Sequence, residues 1–312
     1  MPHKDESWEL SHNWEKIPSL PTTGLTSLAY VVGVGSDLGK QKKLNEDSLF
    51  AAQSIGDRDT LPLSFGLFVL ADGMGAYADG QDASSSAIQT MVDFIWPQVV
   101  RSTTFRPEDW VTLLAEAVQL ANKVVYQQNI PLQARDVDFS VMTTVTAAMV
   151  VGSTAYVANV GDSRTYLYRA SEGLKKVTTD HLWVARQIEA GILKPDDLYT
   201  HPHRNVIERV LGWKLPVEVD LFTVQLHPGD TVLLCSDGLW NMVRDSKIED
   251  ILCYTLPDPS HAAEALIQST LNGGGKDNVS VIVVSMLEAS NQTLVPSVQF
   301  FARPDSLHTP QA

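Results

Sequence analysis

Basic residues are scarce: 23 Lys and Arg stand against 37 Asp and Glu, leaving a formal charge of -14 over 312 residues. So acidic a chain lacks the basic face that nucleic acid requires, although bound cations would offset part of the surplus. Cysteine is nearly absent. Cys235 and Cys253 lack metal-ligand spacing and read as two reduced thiols, which fits a reducing cytoplasm. Long apolar runs are missing too. The longest such region, residues 141–160, is interrupted by Thr, Ser, Gly and Asn, so no membrane span is expected, and no charged-then-apolar signal stands at the N-terminus. Neither a Gly-x-Ser-x-Gly elbow nor a Cys-His arrangement stands out, which turns attention away from a side-chain nucleophile. No repeat period is visible. At 44% hydrophobic and 19% charged, the chain is not composed like a disordered one and can bury a large core.

What is present is a device used three times. Phe68-Val69-Leu70-Ala71 leads straight into Asp72-Gly73-Met74-Gly75, so a buried strand delivers one carboxylate into a tight, glycine-marked turn. Thr231 to Cys235 ends likewise in Ser236-Asp237-Gly238, and an apolar strand from Val279 follows Gly273-Gly274-Gly275-Lys276-Asp277-Asn278. A lone Asp-Gly or Asp-Asn pair is an ordinary turn. Acids beside three separate strands, joined by Asn45-Glu46-Asp47 and Gly161-Asp162-Ser163-Arg164, instead suggest one carboxylate cluster for a hard cation such as Mg²⁺ or Mn²⁺.

Periodicity predicts strands over residues 28–34, 48–53, 65–71, 144–151, 154–160, 164–169, 217–225, 231–235 and 279–286. Helical stripes cover residues 81–96, closed by Pro97, and 107–128, followed by shorter helices over 181–190, 246–253 and 260–271. Residues 194–204 are polar, His-rich and turn-prone, an excursion from the core. Strands grouped with strands and helices with helices point to an α+β sandwich in which helices cover antiparallel sheets. Residues 1–26 read as a loosely ordered leader, 27–289 as the globular domain and 290–312 as a flexible tail.

Together these segments resemble the metal-dependent type 2C Ser/Thr protein phosphatases, their bacterial branch especially. The matching blocks are Ser36-Asp37-Leu38-Gly39 with Asn45-Glu46-Asp47, Ala71 to Gly75 with Gly80 and Ala83-Ser84, Thr143-Thr144, and Asn159 to Arg164. Thr179-Asp180-His181, Pro228-Gly229-Asp230, Leu234 to Trp240 and Asp277-Asn278-Val279 complete the series in family order. The resemblance implies a four-layer α-β-β-α sandwich with a flap over residues 182–212. It implies two Mg²⁺ or Mn²⁺ ions bridged by Asp72, with Asp237 and Asp277 on the first and Glu46 and the Gly73 carbonyl on the second. Asp47 would bond metal water, Asp162 with Asp237 would hold a third, weaker ion, and a bridging hydroxide would attack phosphorus in line. Phosphoproteins are the implied substrates, Ser/Thr kinases the opposing enzymes, a monomer the implied state.

Several positions depart from the family pattern. Lys42 stands where bacterial relatives place a phosphate-gripping Arg, keeping the charge but losing the fork. Met74 replaces the His of animal members, while Ala76, Tyr77 and Met142 replace small or imidazole residues. His181 and Arg164 read as bracing residues, His201 and His203 as ordinary loop histidines. Two other readings stay open: a catalytically silent phosphatase-like module that binds a phosphoprotein or regulator, and an enzyme restricted to small phosphomonoesters.

Overall fold

The computed structural model describes residues 28–55, 65–75, 79–101, 106–133, 141–288 and 297–302. The chain opens with β1 (Leu28–Asp37), β2 (Asp47–Ile55) and β3 (Phe65–Met74), then helices α1 (Asp79–Arg101) and α2 (Pro107–Gln133). Next come β4 (Met142–Thr143), β5 (Val145–Val151), β6 (Thr154–Val160), β7 (Arg164–Arg169) and β8 (Gly173–Lys176). Two short helices follow, α3 (Trp183–Glu189) and α4 (Asp197–Thr200), before β9 (Asp220–Gln225) and β10 (Thr231–Cys235). Helices α5 (Asp237–Met242), α6 (Asp245–Thr255) and α7 (Pro259–Asn272) then lead to β11 (Val279–Glu288) and β12 (Ser297–Ala302).

The strands form two sheets, ordered β1-β11-β10-β7-β8 and β12-β2-β3-β5-β6-β9, with β4 paired to the end of β3. Every pairing is antiparallel. Strand alternation assigns each side chain to one of three apolar slabs. Leu67, Val69 and Ala71 of β3 meet the stripes of α1 and α2, among them Ile88, Met91, Leu114 and Val118. Phe68 and Leu70 turn the other way and meet Val232, Leu234, Ile282 and Val284 in the gap between the sheets. Leu233, Val281 and Val283 face the third slab with Ile248, Leu252 and Leu266. The four-layer α-β-β-α sandwich is therefore what the chain adopts.

Several boundaries differ from expectation. Pro97 lies inside α1 rather than ending it, because Val99 beyond it is still buried and outweighs one lost backbone bond. Strand β3 runs through Asp72 and Gly73 to Met74 instead of turning at the acid. The expected tail contains β12, which covers the edge of β2 with the pairs Val298–Ser54 and Phe300–Ala52. The expected leader, Ala76 and Tyr77 lie outside the described residues.

Candidate metal centre

The gap between the sheets changes from apolar to polar toward one end. Beyond Leu70 and Leu234 come Thr146 and Thr165, whose hydroxyls meet at 2.7 Å, then Thr144 and Ser163 at 2.8 Å. The same alternation that points Leu70 into the gap points Asp72 there, and it does the same for Asp47 on β2 and for Ser280 on β11. Asp72 is fixed by its backbone. Its amide donates to Thr144 Oγ1 at 3.0 Å, and its carbonyl accepts from Thr143 Oγ1 and the Thr144 amide, both at 2.9 Å.

Asp47 lies directly across the β2–β3 pair from Asp72. It is also the clasp between sheets: Ser236 Oγ donates to Asp47 Oδ2 at 2.8 Å and accepts the Ser280 amide at 3.0 Å. Asn278 ties the loops together, its Nδ2 donating to the carbonyls of Leu38 at 2.9 Å and Leu44 at 3.0 Å while its Oδ1 accepts the Glu46 amide at 2.9 Å. Glu46 is further held through its carbonyl, which accepts from the Gly73 amide at 3.1 Å and from Ser84 Oγ at 2.6 Å. The glycines after the acids allow close approach rather than a special turn. A Cβ on Gly73 would fall 2.0 Å from the Gly80 oxygen, and one on Gly238 would fall 1.9 Å from the Asn278 oxygen.

Crowding of like charges dominates the electrostatics. Burial, reinforced by Asp47, Asp237, Asp162 and Asp277, holds the Asp72 carboxyl well above the usual range. Asp162 is raised by burial, Asp237 and Asp180 against the opposing pull of Arg164. Burial and Asp277 raise Asp237, with Asp72, Lys42 and Arg164 working against the shift. Asp47 is raised mainly by burial, with Ser236 and Ser280 working against the shift. Residues from both sheets and from loops hundreds of positions apart thus sense one another's charge.

Lys42 sits inside this cluster. Its Nζ lies 2.7 Å from Asp277 Oδ1 and 3.8 Å from Glu46 Oε2. Burial disfavours the ammonium, but Asp277, Glu46 and Asp72 together raise its pKa. Asp162 stands at the β6–β7 turn, its carbonyl accepting from Trp240 Nε1 at 2.9 Å. The bracing roles expected of Arg164 and His181 match their contacts. Buried Arg164 forks onto Asp180 at 2.9 and 2.7 Å and lies 3.8 Å from the Trp240 ring centroid, while His181 Nδ1 accepts the Gly161 amide at 2.9 Å. His201 and His203 pack around Trp183, with ring centroids 5.3 and 5.5 Å from it. Met142 pairs with Met74 in β4 without displacing an acid. Sequence reasoning gave no role to Ser236, Trp240 or Asn278; the only signal was their place inside the matched blocks.

The donor set suits a hard divalent cation. All donors are oxygens, and Asp47 Oδ1 is buried with no protein partner. An ammonium, that of Lys42, lies among the acids. Among the described residues, no three Asp, Glu, His or Cys side chains close into a ligand shell; the Lys42 ammonium lies against Asp277 and Glu46.

The family model described as protein phosphatase 2C matches residues 35–265. The serine/threonine phosphatase stp of Listeria welshimeri is 34% identical over 252 residues, covering 80% of this chain and 93% of that protein. The crystal structure of the Mycobacterium tuberculosis serine/threonine phosphatase PstP/Ppp superposes with a TM-score of 0.68 at 31% identity, covering 83% of this chain and 99% of that one. The catalytic domain of PstP in complex with 2 manganese ions superposes with a TM-score of 0.67 at 28% identity, over 84% of this chain and 100% of the other.

Proposed function

Because the chain belongs to the protein phosphatase 2C family, we propose that its hydrolysis of phosphoserine and phosphothreonine takes place at the acidic end of the inter-sheet gap. The enzyme is a metal-dependent Ser/Thr phosphatase that uses Mg²⁺ or Mn²⁺. In this reading Asp72, Asp237 and Asp277, with Glu46 and the Gly73 carbonyl, would hold the two cations. Asp162 and Asp237 would hold a third ion. Bound there, the cations supply Lewis acidity to the phosphoryl oxygens and make a coordinated water acidic.

The chain's own groups do the positioning. Asp47, anchored through Oδ2 to Ser236, keeps Oδ1 free to accept a hydrogen bond from water in the site. Lys42 brings the positive charge that a phosphate monoester needs, as a point charge rather than a fork. The observation that carries this reading is the meeting of acids from both sheets at one end of the fold: Asp47 pairs with Asp72 across β2–β3, Ser236 beside Asp237 bonds to Asp47, and Lys42 bonds to Asp277. Phosphoproteins are the substrates that this activity implies, with Ser/Thr kinases as the opposing enzymes, a monomer as the working state and the cytoplasm as the setting. No described helix is long and apolar enough to cross a membrane.

The test is to assay p-nitrophenyl phosphate and a phosphothreonine peptide with Mn²⁺, with EDTA, and with Asp237→Asn. Turnover of both substrates that needs Mn²⁺ and falls by about a hundredfold or more in the variant supports the reading. Silence of the wild type with Mn²⁺ overturns it in favour of a binding module, and turnover of the small ester alone overturns the phosphoprotein assignment.

A further inference from the structure

The two loops that frame the acidic end run against the charge of the whole chain. Residues 38–44 read Leu-Gly-Lys-Gln-Lys-Lys-Leu and residues 273–277 read Gly-Gly-Gly-Lys-Asp, in a protein whose net charge is -14. They are bound edge to edge. The Lys40 amide donates to the Gly275 carbonyl at 2.7 Å, and Asn278 holds the carbonyls of Leu38 and Leu44. A Cβ on Gly39 would fall 2.3 Å from the Asp277 oxygen, so the loops touch through their backbones.

Acids of this lip are already engaged. Asp37 Oδ1 accepts the Gly39 amide at 2.7 Å, and Asp277 pairs with Lys42. Lys40, Lys43 and Lys276 remain exposed and, among the described residues, form no ion pair. Leu38 and Leu44 beside them are 38% and 47% exposed. The lip thus joins three free ammonium groups to two apolar side chains, beside the Lys42–Asp277 pair of the site.

We propose that Lys40, Lys43 and Lys276, with Leu38 and Leu44 beside them, select phosphoprotein segments whose phosphoserine or phosphothreonine is flanked by acidic residues. This rests on the phosphatase reading of the adjoining site. A segment with basic flanks meets like charge at the lip, whereas an acidic one exchanges solvated lysines for ion pairs and is steered inward by them. The strip is short and bordered by acids, which suits a few carboxylates and not an extended polyanion such as nucleic acid.

The experiment compares two phosphothreonine peptides, one with Asp and Glu flanks and one with Lys and Arg flanks, and p-nitrophenyl phosphate as a substrate too small to reach the lip. Lys40→Glu, Lys43→Glu and Lys276→Glu are made singly and together, with Lys→Gln versions guarding against a folding fault. Each loss is expected to raise KM for the acid-flanked peptide by about two- to fivefold with kcat unchanged, less so in high salt. The triple reversal is expected to improve the basic-flanked peptide, and the small ester is expected to be unaffected. Equal shifts for both peptides, or none, with normal turnover of the ester overturn the proposal. Loss of ester turnover in the wild type would instead fail the phosphatase reading, and the proposal would fall with it.

Discussion

Removing the Lys42 charge should move two measured quantities in opposite directions. Its Nζ is 2.7 Å from Asp277 Oδ1 and 3.8 Å from Glu46 Oε2, so it neutralises two of the acids assigned to cations. Unit charges 2.7 Å apart attract by about 6 kcal/mol at an effective dielectric of about 20. The side chains of Lys42 and Asp277 are 37% and 42% exposed, so water reduces the net value to about 1 kcal/mol or less. Lys42→Gln therefore deletes a competing cation of modest strength, and Mn²⁺ measured by calorimetric titration should bind about two- to fivefold more tightly. The same variant loses the charge facing substrate phosphate, so KM on a phosphothreonine peptide should rise. Lys42→Arg should restore KM, because the guanidinium grips phosphate at least as well. Unchanged Mn²⁺ affinity together with equal KM values for the Arg and Gln variants would refute the assignment of Lys42 to the site.

Two further outcomes follow from the same geometry. In Gly238→Ala the new Cβ would meet the Asn278 oxygen at 1.9 Å, so α5 and the loop before β11 must separate. That should cost about 1–3 kcal/mol in thermal unfolding and weaken Mn²⁺ binding at least tenfold, since Asp237 and Asp277 flank the contact; a variant unchanged in both would refute it. Burial and neighbouring acids push Asp47 up to about 7 and Asp237 up to about 6. Carboxyls raised on folding stabilise most below their ordinary range and lose that contribution as pH rises through the raised values, on the order of a few kcal/mol. Asp180, held below its usual value by Arg164 and Lys176 despite burial, works the other way and matters only in acid. Tm in EDTA should therefore fall between about pH 5 and 8, and excess Mn²⁺ should remove the decline; a flat or rising Tm in EDTA would count against the cluster.

Much of this site was legible because strand alternation reports direction as well as identity. β6, β7 and β10 begin and end where their apolar runs do, and the acids nearest those runs occupy the polar end of the gap. The glycines misled. Asp-Gly pairs are ordinary turn signals, yet Gly73 continues a strand and Gly238 opens a helix, each needed for a backbone passing close by. Helix α5 has only six residues and depends on burying Leu239 and Trp240, which no local pattern reveals. The clasps were hidden for a similar reason: Ser236 meets Asp47 across 189 positions and Asn278 meets Glu46 across 232. β12 escaped because its segment carries too little apolar periodicity to announce a strand, and the open edge of β2 supplies the partner.

The segment 182–212, expected as a flap, makes contacts that reach the backbone around three of the acids. At its entrance the His181 ring takes the amide of Gly161, the residue before Asp162. At its exit Leu211 exchanges backbone bonds with Thr143 at 2.9 and 3.3 Å, and the Thr143 hydroxyl donates to the Asp72 carbonyl. Between these points Tyr199 of α4 packs edge-on against Trp240, ring centroids 6.4 Å apart, and the Trp240 indole donates to the Asp162 carbonyl. Trp240 is itself three residues along α5 from Asp237 and lies against buried Arg164. A segment joined to Asp72 at one end, to the Asp162 turn at the other, and to the helix of Asp237 in the middle couples any shift of its own to all three acids. The physical unit at this end of the sandwich is therefore the acids and the segment together, and the bonds of Thr143, His181 and Trp240 are what make them one.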